Sequence, residues 1–469
     1  MLAGLTPSQV EELRGQAFRL LEEPGFRVQH EGLLGRLGRA GATVDGASGR
    51  VRLPSSLLRE LLAQAPPRYQ VGGLSGRQWC VGGQERHCLA IVTDPWIIDS
   101  GSGHPRRPRL TDVQRHTRLA QQLEEVAAIS LMDYPVADVS GPFSNLRALE
   151  AYLLEHDKHL HVMPTSAASF GRWERLLEVL ATNGAPPGVP LVTLGVAVLS
   201  PLTLTPDNGE LLLAACRGGF PVVPTVCPMA GTTAPYTLGG TLLQAHAEAL
   251  LVAALVQLVR PGHPVLHVIG PSRTDMRTGE DLYYTLDKVL WKIAGVQLGQ
   301  ACGLPTGAEC GGTMASRYDL QSGAEGVLFM LAAWHSGAHL LAGIGSCGNA
   351  VTMSAEMMLV QTAWLRAARF LSGGLPGPTA GDLASLCRVG PGGHFLEDPL
   401  TLEELRAHGF FEDPLLDCVG GHLGHTPMLQ RAQERAAELL AAHRSPLPGR
   451  LQEGIRAFFR QECGGPSGG

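Results

Sequence analysis

Apolar residues open the chain at helical spacing. Val10, Leu13, Ala17, Leu20 and Leu21 form one stripe with the period of an amphipathic helix. Thr6-Pro7-Ser8-Gln9 stands ahead of them and predicts a capping box with proline in the first turn. Pro24-Gly25 stops that helix, and a second follows from Glu31 to Ala40. Ala42 to Leu53 sets Gly46 and Gly49 between apolar pieces and predicts a hairpin. Pro54 then opens a third helix that ends near Pro66-Pro67.

Beyond residue 110 the rhythm changes to short apolar runs alternating with amphipathic helices. The runs that predict strands are Ala127–Met132, Leu160–Pro164, Leu191–Leu199, Pro221–Val226, Pro264–Ile269, Pro305–Glu309, Leu340–Ile344 and, as the last, Ser385–Val389. Between them, Thr205-Pro206 opens a helix closed by Gly218-Gly219. Thr241-Leu242-Leu243-Gln244 reads as a capping box for a helix running to Pro261-Gly262. Eight alternations over roughly 270 residues predict an α/β chain folded as a (β/α)₈ TIM barrel. The competing doubly wound sheet lacks its G-x-G-x-x-G turn after the first strand. The expected division is 1–110 as an N-terminal helical and hairpin cap, 111–395 as the barrel, and 396–469 as a C-terminal helical extension. That extension is to carry a helix from Pro427 to Arg444 and an unstructured tail, Gly464–Gly469.

Composition narrows the function. Hydrophobic residues make up 44% of the 469 and charged residues 17%, enough apolar content for a large core. A net charge of −6 argues against nucleic acid as a partner. The longest apolar stretch, Ala249 to Val259, is too short to span a bilayer and contains Gln257. No signal peptide is visible, and the ten cysteines are scattered without a C-x-x-C pair, so the expectation is a cytoplasmic protein with free thiols. Lysine is confined to Lys158, Lys288 and Lys292, which restricts the choice of a reactive amine.

In a barrel, chemistry gathers at the carboxyl ends of the strands. Glu309 closes an apolar run and is followed by Gly311 and Gly312, so it is expected at the mouth with space beside it, able to face a cation or act as a base. A salt-bridged structural carboxylate is the competing reading. Asp319 and Gln321 begin the next helix, where Asp319 reads equally as a helix-terminus partner. Tyr236, Tyr283 and Trp96 supply aromatic faces from neighbouring loops, and Cys227 and Ser346 follow strand ends. Cys227, Cys310 and Cys347 together raise a zinc-thiolate alternative, though small buried residues are the plainer reading. His422 and His425 have a ligand-like spacing within a glycine-rich segment.

Ordered across nearly the whole chain, several elements resemble the trimethylamine methyltransferase family. They begin with Gly25-Phe26-Arg27-Val28, Val51-Arg52-Leu53-Pro54 and Leu110-Thr111-Asp112-Val113. Gly231-Thr232-Thr233-Ala234-Pro235, Ala247-Glu248-Ala249-Leu250 and Gln257 through Gly262 follow. Asp319-Leu320-Gln321-Ser322-Gly323-Ala324-Glu325 is similar to a D-x-Q-x-G-x-E element, and Val389 through Leu396 to a late glycine-rich one. The resemblance implies a (β/α)₈ barrel that moves a methyl group from a methylamine or betaine-like quaternary amine to Co(I). The corrinoid would be carried by a separate small protein, with none bound tightly to this chain. It points to the branch without pyrrolysine, similar to glycine betaine methyltransferase. In that reading Glu309, Asp319 and Gln321 are candidate catalytic residues, and Tyr236, Tyr283, Trp96, Cys227 and Ser346 candidate substrate contacts. No metal is expected, and the enzyme would be a homo-oligomer. The alternatives are a zinc-thiolate or decarboxylase-type barrel enzyme, and an inactive barrel acting as a binding protein.

Overall fold

The computed structural model describes residues 4–464 except 142, 165, 419 and 421–425. His422, His425 and all but the first residue of the glycine-rich tail therefore lie outside the described residues.

The N-terminal helices follow their sequence signals. The Pro7–Glu22 helix starts from Thr6, whose hydroxyl accepts from the Gln9 amide while the Gln9 side chain accepts from the Thr6 amide. Ala17, Phe18 and Leu21 form its buried face. The predicted hairpin is the antiparallel pair Thr43–Asp45 and Arg50–Arg52. Its turn needs glycine at Gly49, which has φ +70°, and where a Cβ would stand 2.6 Å from the Val28 carbonyl oxygen. A second hairpin, Arg68–Gly72 with Gln78–Gly82, turns Tyr69, Val71, Trp79 and Val81 onto the barrel interior at Leu89, Ala128, Val223, Leu266 and Leu340. It plugs the amino-terminal end of the barrel and so leaves the opposite end as the mouth.

The sheet has seven parallel strands: β1 (His87–Ile91), β2 (Val126–Leu131), β3 (His159–Val162), β4 (Val192–Ala197), β5 (Val222–Thr225), β6 (Gly307–Glu309) and β7 (Leu340–Ile344). Their order is β5-β4-β3-β2-β1-β7-β6. The extended segment 264–268 closes the ring between β5 and β6. Leu266 donates to the Val222 carbonyl (2.9 Å), His267 to Pro305 (2.8 Å), and Gly307 back to His267 (3.0 Å). The (β/α)₈ barrel is thus present, with one change of membership. The strand expected at Ser385–Val389 is the second half of the helix Ala380–Val389, started by a reciprocal Thr379–Asp382 cap. Its Leu383 and Leu386 are three apart, which is helical spacing. The missing strand is β1, which lies in the stretch assigned to the cap and pairs with β7 and β2.

The helix Leu238–Val259 begins one turn earlier than its sequence signal suggested. Thr237 caps it by accepting from the Gly240 amide, while the Thr241 hydroxyl donates to the Pro235 carbonyl (2.8 Å). It is apolar on all sides because its residues from Gln244 to Gln257 are all buried, a core helix rather than an amphipathic one. The helices Met428–Ala442 and Gly449–Glu462 pack against the outer layer of the barrel. Ahead of them in the chain, Ala380–Val389 and Pro399–Ala407 pack on each other, and Leu383, Leu386, Leu402, Leu405 and Phe410 are exposed.

Candidate active site

Glu309 ends β6 at the mouth, as its sequence position implied, and two lysines and a tyrosine crowd its carboxylate. The helix Asp287–Ala301 packs behind β6 and carries Lys288 and Lys292 one turn apart on the same face. Their ammonium groups stand 3.5 and 3.7 Å from Glu309 Oε2, and Lys292 also donates to the Glu309 carbonyl (2.7 Å). The Tyr283 hydroxyl donates to Glu309 Oε1. Lys288 Nζ rests 2.8 Å from the centroid of the Tyr283 ring, and Lys292 Nζ 4.1 Å from that of Phe329. The two glycines that follow Glu309 are not what gives it room. A Cβ on Gly311 would strike the Gly343 carbonyl oxygen, and one on Gly312 would strike the Tyr284 ring. Those glycines let the chain pass against β7 and Tyr284; they do not open a channel.

The electrostatics follow from this packing. Burial pushes the Glu309 carboxyl up, but the charges of Lys288 and Lys292 and the Tyr283 hydroxyl outweigh it and hold the group below the usual range. Burial pulls Lys292 down to about 7, against the raising effect of Glu309, and lowers Lys288 as well. One carboxylate thus faces two buried amines, although its Oε2 accepts no hydrogen bond among the described residues.

The remaining expected residues divide into two groups. Tyr283, Ser346 and Cys227 join the Glu309 neighbourhood. The Tyr284 hydroxyl donates to Ser346 Oγ (3.2 Å), and Tyr283 and Cys227 both crowd Gly270, where a Cβ would lie 2.6 Å from the Tyr283 oxygen and 3.1 Å from the sulfur. Enclosure by the barrel walls pushes the Cys227 thiol up to about 11, although its residue is exposed to the mouth. Asp319 and Gln321 lie at the edge. Asp319 caps the helix Leu320–Ser336 by accepting from the Ser322 amide (3.0 Å). Gln321 is exposed and donates to Glu325 (3.0 Å). Glu325 in turn accepts from the Thr313 hydroxyl (2.6 Å) and the Met314 amide (2.8 Å), which anchors the loop after β6. Trp96 has one face covered by the Arg107 guanidinium, 4.0 Å from the ring centroid. Tyr236 is exposed on the rim beside Met276, both folded over Gly231. The three cysteines of the zinc alternative are not gathered. Cys310 lies beside Cys88, which raises the Cys88 thiol, and Cys347 donates to the Thr352 carbonyl (3.5 Å). Among the described residues no group of three metal-ligating side chains is close enough to hold an ion.

Sequence reasoning placed Tyr284 on a mouth loop and noted Lys288 and Lys292 as rare amines without giving any of them a role, and it missed Asp94. The lysines carried a signal: two of only three in the chain, placed four apart on a helix ahead of a strand-ending glutamate. Asp94 follows β1, which was not recognised as a barrel strand. It is 4% exposed, and its Oδ2 has no hydrogen-bond partner among the described residues. Burial raises its carboxyl well above the usual range.

Outside this charged interior, the mouth carries an apolar rim. Exposed side chains stand on the loops after successive barrel segments: Tyr134 after β2, Leu199 after β4, Tyr236 after β5, Met276 after 264–268, Leu320 after β6 and Val351 after β7. Leu320 is 93% exposed and Met276 61%.

Fold and site together define a TIM-barrel enzyme with a charged, tyrosine-lined mouth. The chain belongs to the trimethylamine methyltransferase family, whose model matches residues 1–465. It is 23% identical over 471 residues to a trimethylamine methyltransferase of Desulfitobacterium hafniense, covering 98% of this chain and 94% of that one. It is 25% identical over 474 residues to a glycine betaine methyltransferase of the same species, covering 97% and 96%. A proline betaine:corrinoid methyltransferase of Eubacterium limosum is 25% identical over 345 residues, 69% of this chain and 67% of that one. Among solved structures, the hydroxylamine complex of MtmB superposes with a TM-score of 0.50 at 14% identity, over 93% of this chain and 88% of that one, a likeness of fold. The protein is a methyltransferase of this family.

Proposed function

We propose that the enzyme takes a methyl group from a betaine-like quaternary amine and delivers it to the Co(I) corrinoid of a separate small cytoplasmic protein. The observation that carries this reading is the apolar rim. An enzyme acting on a small solute alone has no use for exposed leucine, methionine and tyrosine on the loops of nearly every strand, whereas a partner presenting a cofactor at the mouth does. The corrinoid, when presented, supplies the nucleophile for the carbon. As the N–CH₃ bond breaks, its electron pair stays on nitrogen, so a quaternary amine leaves as a neutral tertiary amine and needs no general acid. The chain's own work is to hold the amine in line, exclude water and compensate its charge. The Glu309–Lys288–Lys292 cluster fixes Tyr283 and Tyr284 as rigid walls of the mouth. The exposed apolar pair Ala380–Val389 and Pro399–Ala407 supports a homo-oligomer.

The test mixes the enzyme with a Co(I)-loaded corrinoid protein and follows the Co(I) absorbance after adding glycine betaine, proline betaine or trimethylamine. A quaternary amine should discharge it, and trimethylamine should not. Tyr236→Asp together with Leu320→Asp should slow the reaction at limiting partner, on the order of tenfold or more, by removing apolar contact from the rim. Failure of every quaternary amine would overturn the reading.

A further inference from the structure

Asp94 is a buried acid without a counter-ion. It follows the first barrel strand, is 4% exposed, and its Oδ2 meets no donor among the described residues. No lysine, arginine or histidine forms an ion pair with it among those residues. The titratable groups that sense it are Tyr134 from the loop after β2, Tyr284 from the segment before the Asp287–Ala301 helix, and Cys347 after β7. None of these is a cation at neutral pH. Arg107 lies close by, yet it donates to the Pro95 carbonyl (3.0 Å) and stacks on Trp96. Folded proteins rarely leave a buried polar atom unpaired unless a ligand or water completes it.

We propose that Asp94 is the residue with which the mouth selects a substrate bearing a fixed positive charge. Its carboxylate is the counter-ion of the quaternary ammonium, and Tyr134 and Tyr284 are the aromatic residues that sense its charge. This rests on the methyltransferase reading above and adds the residue that sets substrate charge. Glu309 does not serve, because two lysines already claim its charge. A primary ammonium would need several acceptors, and tyrosine rings offer it few; a quaternary ammonium needs only charge and aromatic surface. A metal ion would need further ligands, which are not gathered among the described residues. Without a cation, burial favours the protonated carboxyl. Binding of a permanent cation then expels that proton to solvent, one proton for each cation bound.

The experiment is calorimetric titration of the full chain with tetramethylammonium, and with tert-butanol as a neutral branched probe. It is run in two buffers of different protonation enthalpy. Asp94→Asn, Asp94→Ala and the rim control Asp275→Asn are compared with the native protein, with melting temperature checked for each. The native protein should bind tetramethylammonium and release protons at mildly acidic pH. Asp94→Asn and Asp94→Ala should bind it at least tenfold more weakly with no proton release, while tert-butanol and Asp275→Asn show no change. Equal binding of tetramethylammonium by Asp94→Asn, an equal loss for both probes, or no cation binding by the native protein overturns the assignment. No corrinoid is present, so this outcome is independent of the Co(I) assay. Cation binding at Asp94 without methyl transfer would reject the quaternary-amine substrate proposed above and leave Asp94 as a cation site.

Discussion

Glu309 ends β6 and Asp94 follows β1, strands separated only by β7, and the protein treats the two carboxylates in opposite ways. Glu309 meets Lys288, Lys292 and Tyr283, so its charge is consumed by the fold. Asp94 meets no cation among the described residues, and the proposal above assigns its charge to a ligand. The contrast teaches that position at a strand end does not by itself make a carboxylate a ligand group. What decides is whether the neighbouring helix has already supplied the counter-charge. The helix behind β6 does so, with two lysines on one face.

The largest expected effect tests the satisfied half of this contrast. Glu309→Gln removes the one anion between two buried ammonium groups, and should cost about 3–5 kcal/mol of stability at neutral pH. Chemical denaturation measures it. A loss smaller than about 1 kcal/mol would mean that the lysines are neutral or hydrated, and the contrast would collapse.

The unsatisfied half predicts the opposite sign. Asp94 has a raised pKa in the folded protein, so the folded state holds its proton where the unfolded chain has already released it. Stability should therefore fall as pH rises from about 3.8 towards the raised folded value, and that loss is absent in Asp94→Asn. At pH 8 without ligand, Asp94→Asn should be more stable than the native protein, on the order of 1–3 kcal/mol, and near pH 4 the two should converge. Denaturation midpoints at both pH values are the measurement; a parallel offset at both would break the assignment.

The smallest effect belongs to the edge of the site. Asp319→Ala removes the cap of the Leu320–Ser336 helix and should cost about 1 kcal/mol. Tetramethylammonium affinity should stay within error, because Asp319 is spent on the Ser322 amide. A large affinity loss would move the site outward towards that helix.

The comparison also shows which parts of the site were legible beforehand. Glu309 at a strand end and Tyr283 near it could be read from the apolar run and the loop that precedes the lysine helix. The pairing of Glu309 with Lys288 and Lys292 could not, because it depends on how that helix rolls against β6. Asp319 was open to two readings, and geometry favours the cap. Asp94 went unseen for one reason: the run Cys88–Val92 is too short to reveal its partners. Only its hydrogen bonding to β2 and β7 makes it a barrel strand.

What the sequence alone determined is local. Thr6, Thr205 and Pro54 mark helix starts, the alternating runs mark most strands, and the ordered family elements mark the barrel and its chemistry. Caps and periodicities act within a few residues, so they survive without tertiary context. Tertiary structure decided which eight segments close the ring, that Gly311 and Gly312 serve packing, and which carboxylate keeps its charge. These depend on desolvation and on contacts between residues far apart in sequence, such as Tyr284 with Ser346 or Leu341 with Cys88, and no local pattern encodes them.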